Sequence, residues 1–127
     1  VTKTKGQIEA AISEAIVKFE KEYMGRGPDE TRTYLIEDMI VVRLRRVLTM
    51  AEKQLASPNE GTRGRALVKQ VRTELLEKAR PLLEPVIAAI TGRKVVSLHT
   101  DISTVTGERI IIFILDDCPL PQQEQTA

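Results

Sequence analysis

The apolar positions of residues 6–24 recur at helical spacing. Ile8, Ala11, Ile12, Ala15, Ile16, Phe19 and Tyr23 fall at i, i+3, i+4 and i+7, while Glu9, Glu14, Lys18, Lys21 and Glu22 lie mostly opposite. This predicts an amphipathic helix that Gly25 and Gly27-Pro28 bring to an end. The period then changes. Residues 31–36 and 39–47 are rich in β-branched and apolar side chains, which predicts two strands joined near Glu37-Asp38. That junction has neither Gly nor Asn, so a tight hairpin is not strongly signalled and one long bent strand is the alternative. In the second of these strands Ile40, Val42 and Leu44 share one face, and Val41, Arg43 and Arg45 the other.

Thr49 and Glu52 have the spacing of a capping box, in which each side chain binds the other's backbone N–H, so a short helix is expected over 50–56. Ser57-Pro58-Asn59-Glu60 repeats that signature, but Gly61 and Gly64 weaken it and move the next helix start toward Thr62. The long helix runs to about Ile90, with Val68, Val71, Leu75, Ala79, Leu82, Val86 and Ile90 as its expected apolar stripe. Pro81 and Pro85 each remove a backbone donor, which predicts a kink or a break. Gly92 caps the end.

Residues 94–104 and 108–116 predict a hairpin around Thr106-Gly107. In its first strand Val96, Leu98, Thr100 and Ile102 share one face, and Ser97, His99, Asp101 and Ser103 the other. The second, Ile110 to Leu115, is apolar on both faces. Either a central strand covered on both sides or a subunit interface accounts for that.

The expected fold is therefore α+β: a four-stranded, largely antiparallel sheet with helices packed on one face, in the order α-β-β-α-α-β-β. At 127 residues the chain fits one domain, placed at 5–116. The Pro- and Gln-rich tail, 117–127, is expected to be disordered.

With 42% hydrophobic and 29% charged residues the chain belongs with globular proteins. It has no Trp and only 3% aromatics, so Ile, Val and Leu must build the core. A single cysteine, Cys118, rules out an internal disulfide, reads as an inert tail thiol and leaves the cytoplasm as the default compartment. One Cys and one His make a protein-built zinc site implausible, and no metal or cofactor is expected. The N-terminal stretch lacks the apolar core of a secretory leader. The longest apolar runs fall far short of the ~20 residues of a membrane-spanning helix, so no direct membrane insertion is expected.

The sharpest chemical constellation is Ser97, His99 and Asp101 on one strand face, with Arg43 and Arg45 joining it if the hairpins pair suitably. His99 as a proton-transfer group and Arg43 as an anion anchor would make a small ligand-binding domain or enzyme. Strand neighbours at i and i+2 stand about 6.5–7 Å apart, too far for a tight dyad, so an ordinary polar sheet face is the favoured reading. Arg26, in Gly25-Arg26-Gly27-Pro28, follows a helix C-terminus, where the dipole disfavours an anion. A cap and turn is favoured there, with Arg26 still able to reach a partner's carboxylate. Nucleic-acid binding through Arg43, Arg45, Arg46, Arg63, Arg65, Lys69 and Arg72 lacks stacking aromatics, and the 19 basic side chains are balanced by 18 acidic ones.

Several stretches carry a resemblance: Gly6-Gln7-Ile8, Gly25 to Pro28, Asp38 to Leu44, Leu48-Thr49 with Glu52, Ala79-Arg80-Pro81, and Thr91-Gly92 through Ser97 to Ile102. Together they resemble the YbcI-like, or MpsC-like, family of uncharacterised bacterial proteins, over about Gly6 to Leu115. Two departures are local: Arg46 stands where the family pattern often has Gly, and Met50 where it has Pro. The resemblance implies no catalytic residues. It implies association with a cation-translocating system that generates membrane potential, or with inorganic-carbon uptake beside membrane partners.

The leading expectation is a non-enzymatic accessory or regulatory protein, a homo-oligomer with a dimer as first guess, serving a membrane-protein complex. A ligand-binding domain or enzyme on the His99 face is the second reading, and nucleic-acid binding through the arginines the third.

Overall fold

The structure is a computed structural model and describes residues 3–57 and 61–121. Its elements are α1 (Lys5–Tyr23), β1 (Glu30–Ile36), β2 (Met39–Arg45), α2 (Met50–Leu55), α3 (Arg63–Thr91), β3 (Val95–Ile102) and β4 (Arg109–Leu115). The strands form one antiparallel sheet in the order β1-β2-β4-β3. This is the expected α+β class and element order. Helix α1 lies over β1 and α3 over β3, and the two helices also touch each other.

Local chemistry sets the boundaries. The Thr4 side chain accepts from the Gln7 backbone while the Gln7 side chain accepts from the Thr4 N–H, closing a capping box. Thr49 and Glu52 do the same for α2, as their spacing predicts. The Glu37-Asp38 junction is a two-residue turn, since Ile36 pairs with Met39, and the long bent strand is not what forms. Glu37 takes φ +56, a left-handed conformation normally left to Gly or Asn. Arg46 takes φ +57, which explains physically why Gly suits that position. The signature at residues 58–60 lies outside the described residues. Helix α3 starts at Arg63 without a side-chain cap from Thr62.

Two expectations for α3 are corrected. Of the kink or break expected at Pro81 and Pro85, the break does not occur: the helix is continuous from Arg63 to Thr91. Both prolines lie on its exposed side, where water can serve the carbonyls that lose a donor. The buried stripe is only in part the expected one: Val68 and Ala79 belong to it, and Ile90 packs against it. Val68, Leu76, Ala79, Leu83 and Ile87 enter the core, whereas Val71, Leu75, Leu82 and Val86 stay exposed.

The core lies between the helices and one sheet face. Ile8, Ile12, Ile16 and Phe19 of α1, Val68, Leu76, Leu83 and Ile87 of α3, and Leu35, Ile40, Val42, Leu44, Ile102, Ile111, Phe113 and Leu115 of the sheet belong to one buried cluster. Gly64 lets α3 approach α2, because a Cβ there would collide with the Leu55 carbonyl. Of the tail, Cys118 and Leu120 are buried, and residues 122–127 lie outside the described residues.

Three charged side chains are buried in this core. Arg72 donates to both Glu52 carboxylate oxygens, at 2.8 and 2.6 Å, to Glu20 Oε1 at 3.2 Å and to the Val47 carbonyl at 2.8 Å. Arg109 donates to the Arg72 carbonyl and to Thr100 Oγ1, each at 3.3 Å, and faces Glu20 Oε2 at 3.7 Å. The cluster therefore ties α1, α2, α3 and β4 together. Burial pushes the Glu20 carboxyl above its usual range, although both guanidiniums pull it down.

Candidate functional site

Register fixes what the open face of the sheet presents. Its rows, read across β1, β2, β4 and β3, are Ile36, Met39, Ile114 and Ser97, then Tyr34, Val41, Ile112 and His99, then Arg32, Arg43, Ile110 and Asp101. Helices cover only the opposite face. Ile110, Ile112, Ile114, Met39 and Val41 are only partly buried, and Tyr34, Ile36 and Val96 are about half exposed. The polar face expected for β3 is confined to that edge strand. Polar groups occupy the β3 edge and one end, while the centre is apolar because β4 carries isoleucine on both faces.

The chemistry-bearing residues do not converge. The His99 ring Nε2 lies 3.1 Å from Ser97 Oγ, and both side chains sit at the sheet edge. Asp101 turns away from His99. It accepts from the Ile102 backbone at 2.8 Å and pairs with Lys69 at 3.3 Å, and these two contacts hold its carboxyl below the usual range. Arg43 is in the Asp101 row but two strands away, and pairs with Glu108 at 2.6 Å. Arg45 pairs with Glu30 at 3.7 Å. Arg26 pairs with Asp29 at 2.9 Å and reaches the Leu48 carbonyl, so it fastens the turn within its own chain. A shallow cavity of about 440 Å³ touches Asp101, Lys69, Ser103, Glu108 and Ile110, but not Ser97, His99 or Arg43. Ser97, His99 and Asp101 thus share a strand face without forming a relay.

The arginines singled out for a polyanion are largely engaged. Arg46 pairs with Asp29 at 2.7 Å, and Arg72 lies in the core instead of on the surface. Surface ion pairs of this kind contribute little stability, but they interleave acid with base across the face. Among the described residues no group of three or more His, Cys, Asp or Glu could hold a metal ion, and no helix is long and apolar enough to cross a membrane.

What the site offers is an apolar surface with a mixed-charge end, which is interface anatomy: a hydrophobic centre and a polar rim. Sequence reasoning found the doubly apolar β4 but not the contributions of Tyr34, Ile36 and Met39. Their signal was the alternation of β1 and β2.

Residues 4–117 match the family described as "Na+-translocating membrane potential-generating system (MpsC)". The uncharacterized protein YbcI of Bacillus subtilis (strain 168) is 44% identical over 113 residues, 89% of each chain. The uncharacterized protein YrhF of the same organism is 30% identical over 106 residues, 83% of this chain and 84% of its own. No solved structure matches. The chain belongs to the MpsC family.

Proposed function

We propose that this MpsC-family chain is a non-enzymatic accessory module. It docks, through the open face of its sheet, on a protein component of a cation-translocating, membrane-potential-generating system. The observation that carries this reading is the open side of β4: Ile110, Ile112 and Ile114 sit at the centre of the sheet with no helix over them. A contiguous apolar patch of this kind marks an interaction surface. Removing it from water stabilises a complex by roughly 25 cal/mol per Å².

The fitting occupant is an apolar protein surface whose rim carries both charges, to meet the mixed end of the sheet where Arg32 and Arg45 pair with Glu30 and Arg43 pairs with Glu108. The family description names a Na+-translocating membrane potential-generating system, which supports a partner inside such a system; work from its cytoplasmic side is part of the same proposal. The link to inorganic-carbon uptake rests on the resemblance alone, and the identity of the captured partner separates the two.

Capture from the organism's own detergent-solubilised membranes tests the reading. Wild type and His99→Ala should both recover a membrane component of ion translocation, and Ile112→Lys should lose it. Retention by Ile112→Lys, or loss on His99→Ala, would remove the reading. If Ile112→Lys instead splits a dimer of this chain, the face pairs copies of the chain and the proposal fails.

A further inference from the structure

Helix α3 has a second apolar stripe that no described residue covers fully. Leu67, Val71, Leu75, Leu82 and Val86 are each between 37% and 57% exposed. They span about 29 Å of helix at 1.5 Å per residue. This stripe is self-complementary in reverse. Turned end for end about the point between Leu76 and Glu77, it places Leu67 on Val86, Val71 on Leu82, and Leu75 on Lys78. A two-fold contact needs that property, because residue i must meet residue j while j meets i.

We infer that two copies of the chain pair through antiparallel α3 helices along this stripe. Charge selects the antiparallel sense. Glu74 and Lys78 are exposed on the flank of the stripe and have no ion-pair partner among the described residues. In the antiparallel pair the Lys78 stem lies over the partner copy's Leu75 and its ammonium reaches the neighbouring Glu74 carboxylate, twice by symmetry. A parallel pair would set Lys78 against Lys78. Shape agrees as well. Leu82 and Val86 form one wall of a groove of about 360 Å³ whose other wall is Ala15, Phe19 and Tyr23 of α1. Reversed pairing brings the second copy's Val71 and Leu67 to that groove. The exposed Tyr23 ring, stacked on Phe19 at 5.2 Å, stiffens its rim.

This contact uses a face other than the open sheet, so it stands or falls separately from the docking reading. Light scattering of the full chain should give the mass of two copies. Leu75→Glu should halve that mass with the circular dichroism unchanged, while Ile112→Lys should leave it at two. In a Cys118→Ser background, the double variant Val71→Cys/Leu82→Cys should oxidise to a covalent dimer, whereas neither single variant should. Like positions in the pair lie about 16 Å apart along the helix, beyond the ~7 Å that a disulfide spans. A monomeric wild type, a dimer that survives Leu75→Glu, or cross-linking by the single variants overturns the inference.

Discussion

The Arg72 guanidinium meets the Glu20 carboxylate at 3.2 Å in the interior, with both side chains screened from solvent. Arg72 is the hub: it also holds Glu52 on α2 and the Val47 carbonyl after β2. A buried pair of this kind adds little over a well-packed apolar substitute, but removing one partner strands the other charge. Arg72→Ala should therefore cost about 3–5 kcal/mol. In urea, where the slope for a small domain is about 1–3 kcal/mol per molar, the midpoint should fall by more than about 1 M. A midpoint within experimental scatter of wild type would mean that the cluster is not formed.

The same cluster predicts two pH effects of opposite sign. For Glu52 burial acts upward, but the hydrogen bonds from Arg72 and Thr49 outweigh it and leave the carboxyl below its usual 4.5. Its contribution to stability is present above that value and is lost as pH falls through the lowered one. Glu20 is raised, so the folded state holds its proton more tightly. The stability this adds is full below about 4.5 and is lost as pH rises through the raised value. Urea midpoints measured across pH should show Glu52→Gln flattening the acid limb and Glu20→Gln flattening the change above pH 4.5. Identical pH profiles for the two variants and wild type would contradict both assignments.

Gly64→Ala should destabilise the protein even though Ala is the better helix former by about 1 kcal/mol. The added methyl meets the Leu55 carbonyl, which is backbone and has no rotamer to yield. Helix α2 must shift, and Glu52 with it, so the loss should exceed the propensity gain and appear as a lower thermal midpoint. A raised midpoint would show that α2 does not pack closely on α3.

His99→Ala should leave stability within about 0.5 kcal/mol, the range of surface substitutions away from special features. The imidazole touches only Ser97 Oγ, at the exposed sheet edge. A thermal midpoint displaced by many degrees would point to a role that this geometry does not contain.

Most elements were legible because periodicity and caps carry them. Ile8, Ile12 and Ile16 mark the α1 face, and Thr49 with Glu52 marks the start of α2. The face of α3 was not legible. Two adjacent stripes are both largely apolar, and the core one is interrupted by Arg72, so the pattern favoured Val71, Leu75, Leu82 and Val86. Only the docking of α3 on β3 and α1 decides between them. The charged core did leave a trace: Glu20 stands one turn after Ile16, Arg72 one turn after Val68, and Arg109 two residues before Ile111 on its inward face. Each is a charge at a core phase, and phase alone cannot say whether partners await it. The open face was half legible, since β4 announces two apolar sides while nothing local tells which side the helices cover.

Hydroxyl-radical footprinting of the chain, alone and in the complex captured from its membranes, tests the open face most directly. Tyr34, Met39, Ile112 and Ile114 should become protected in the complex, while Leu67, Val71 and Leu75 on α3 should react alike in both states. Unchanged labelling of the four sheet residues, or protection confined to α3, would contradict the assignment of the sheet face as the docking surface.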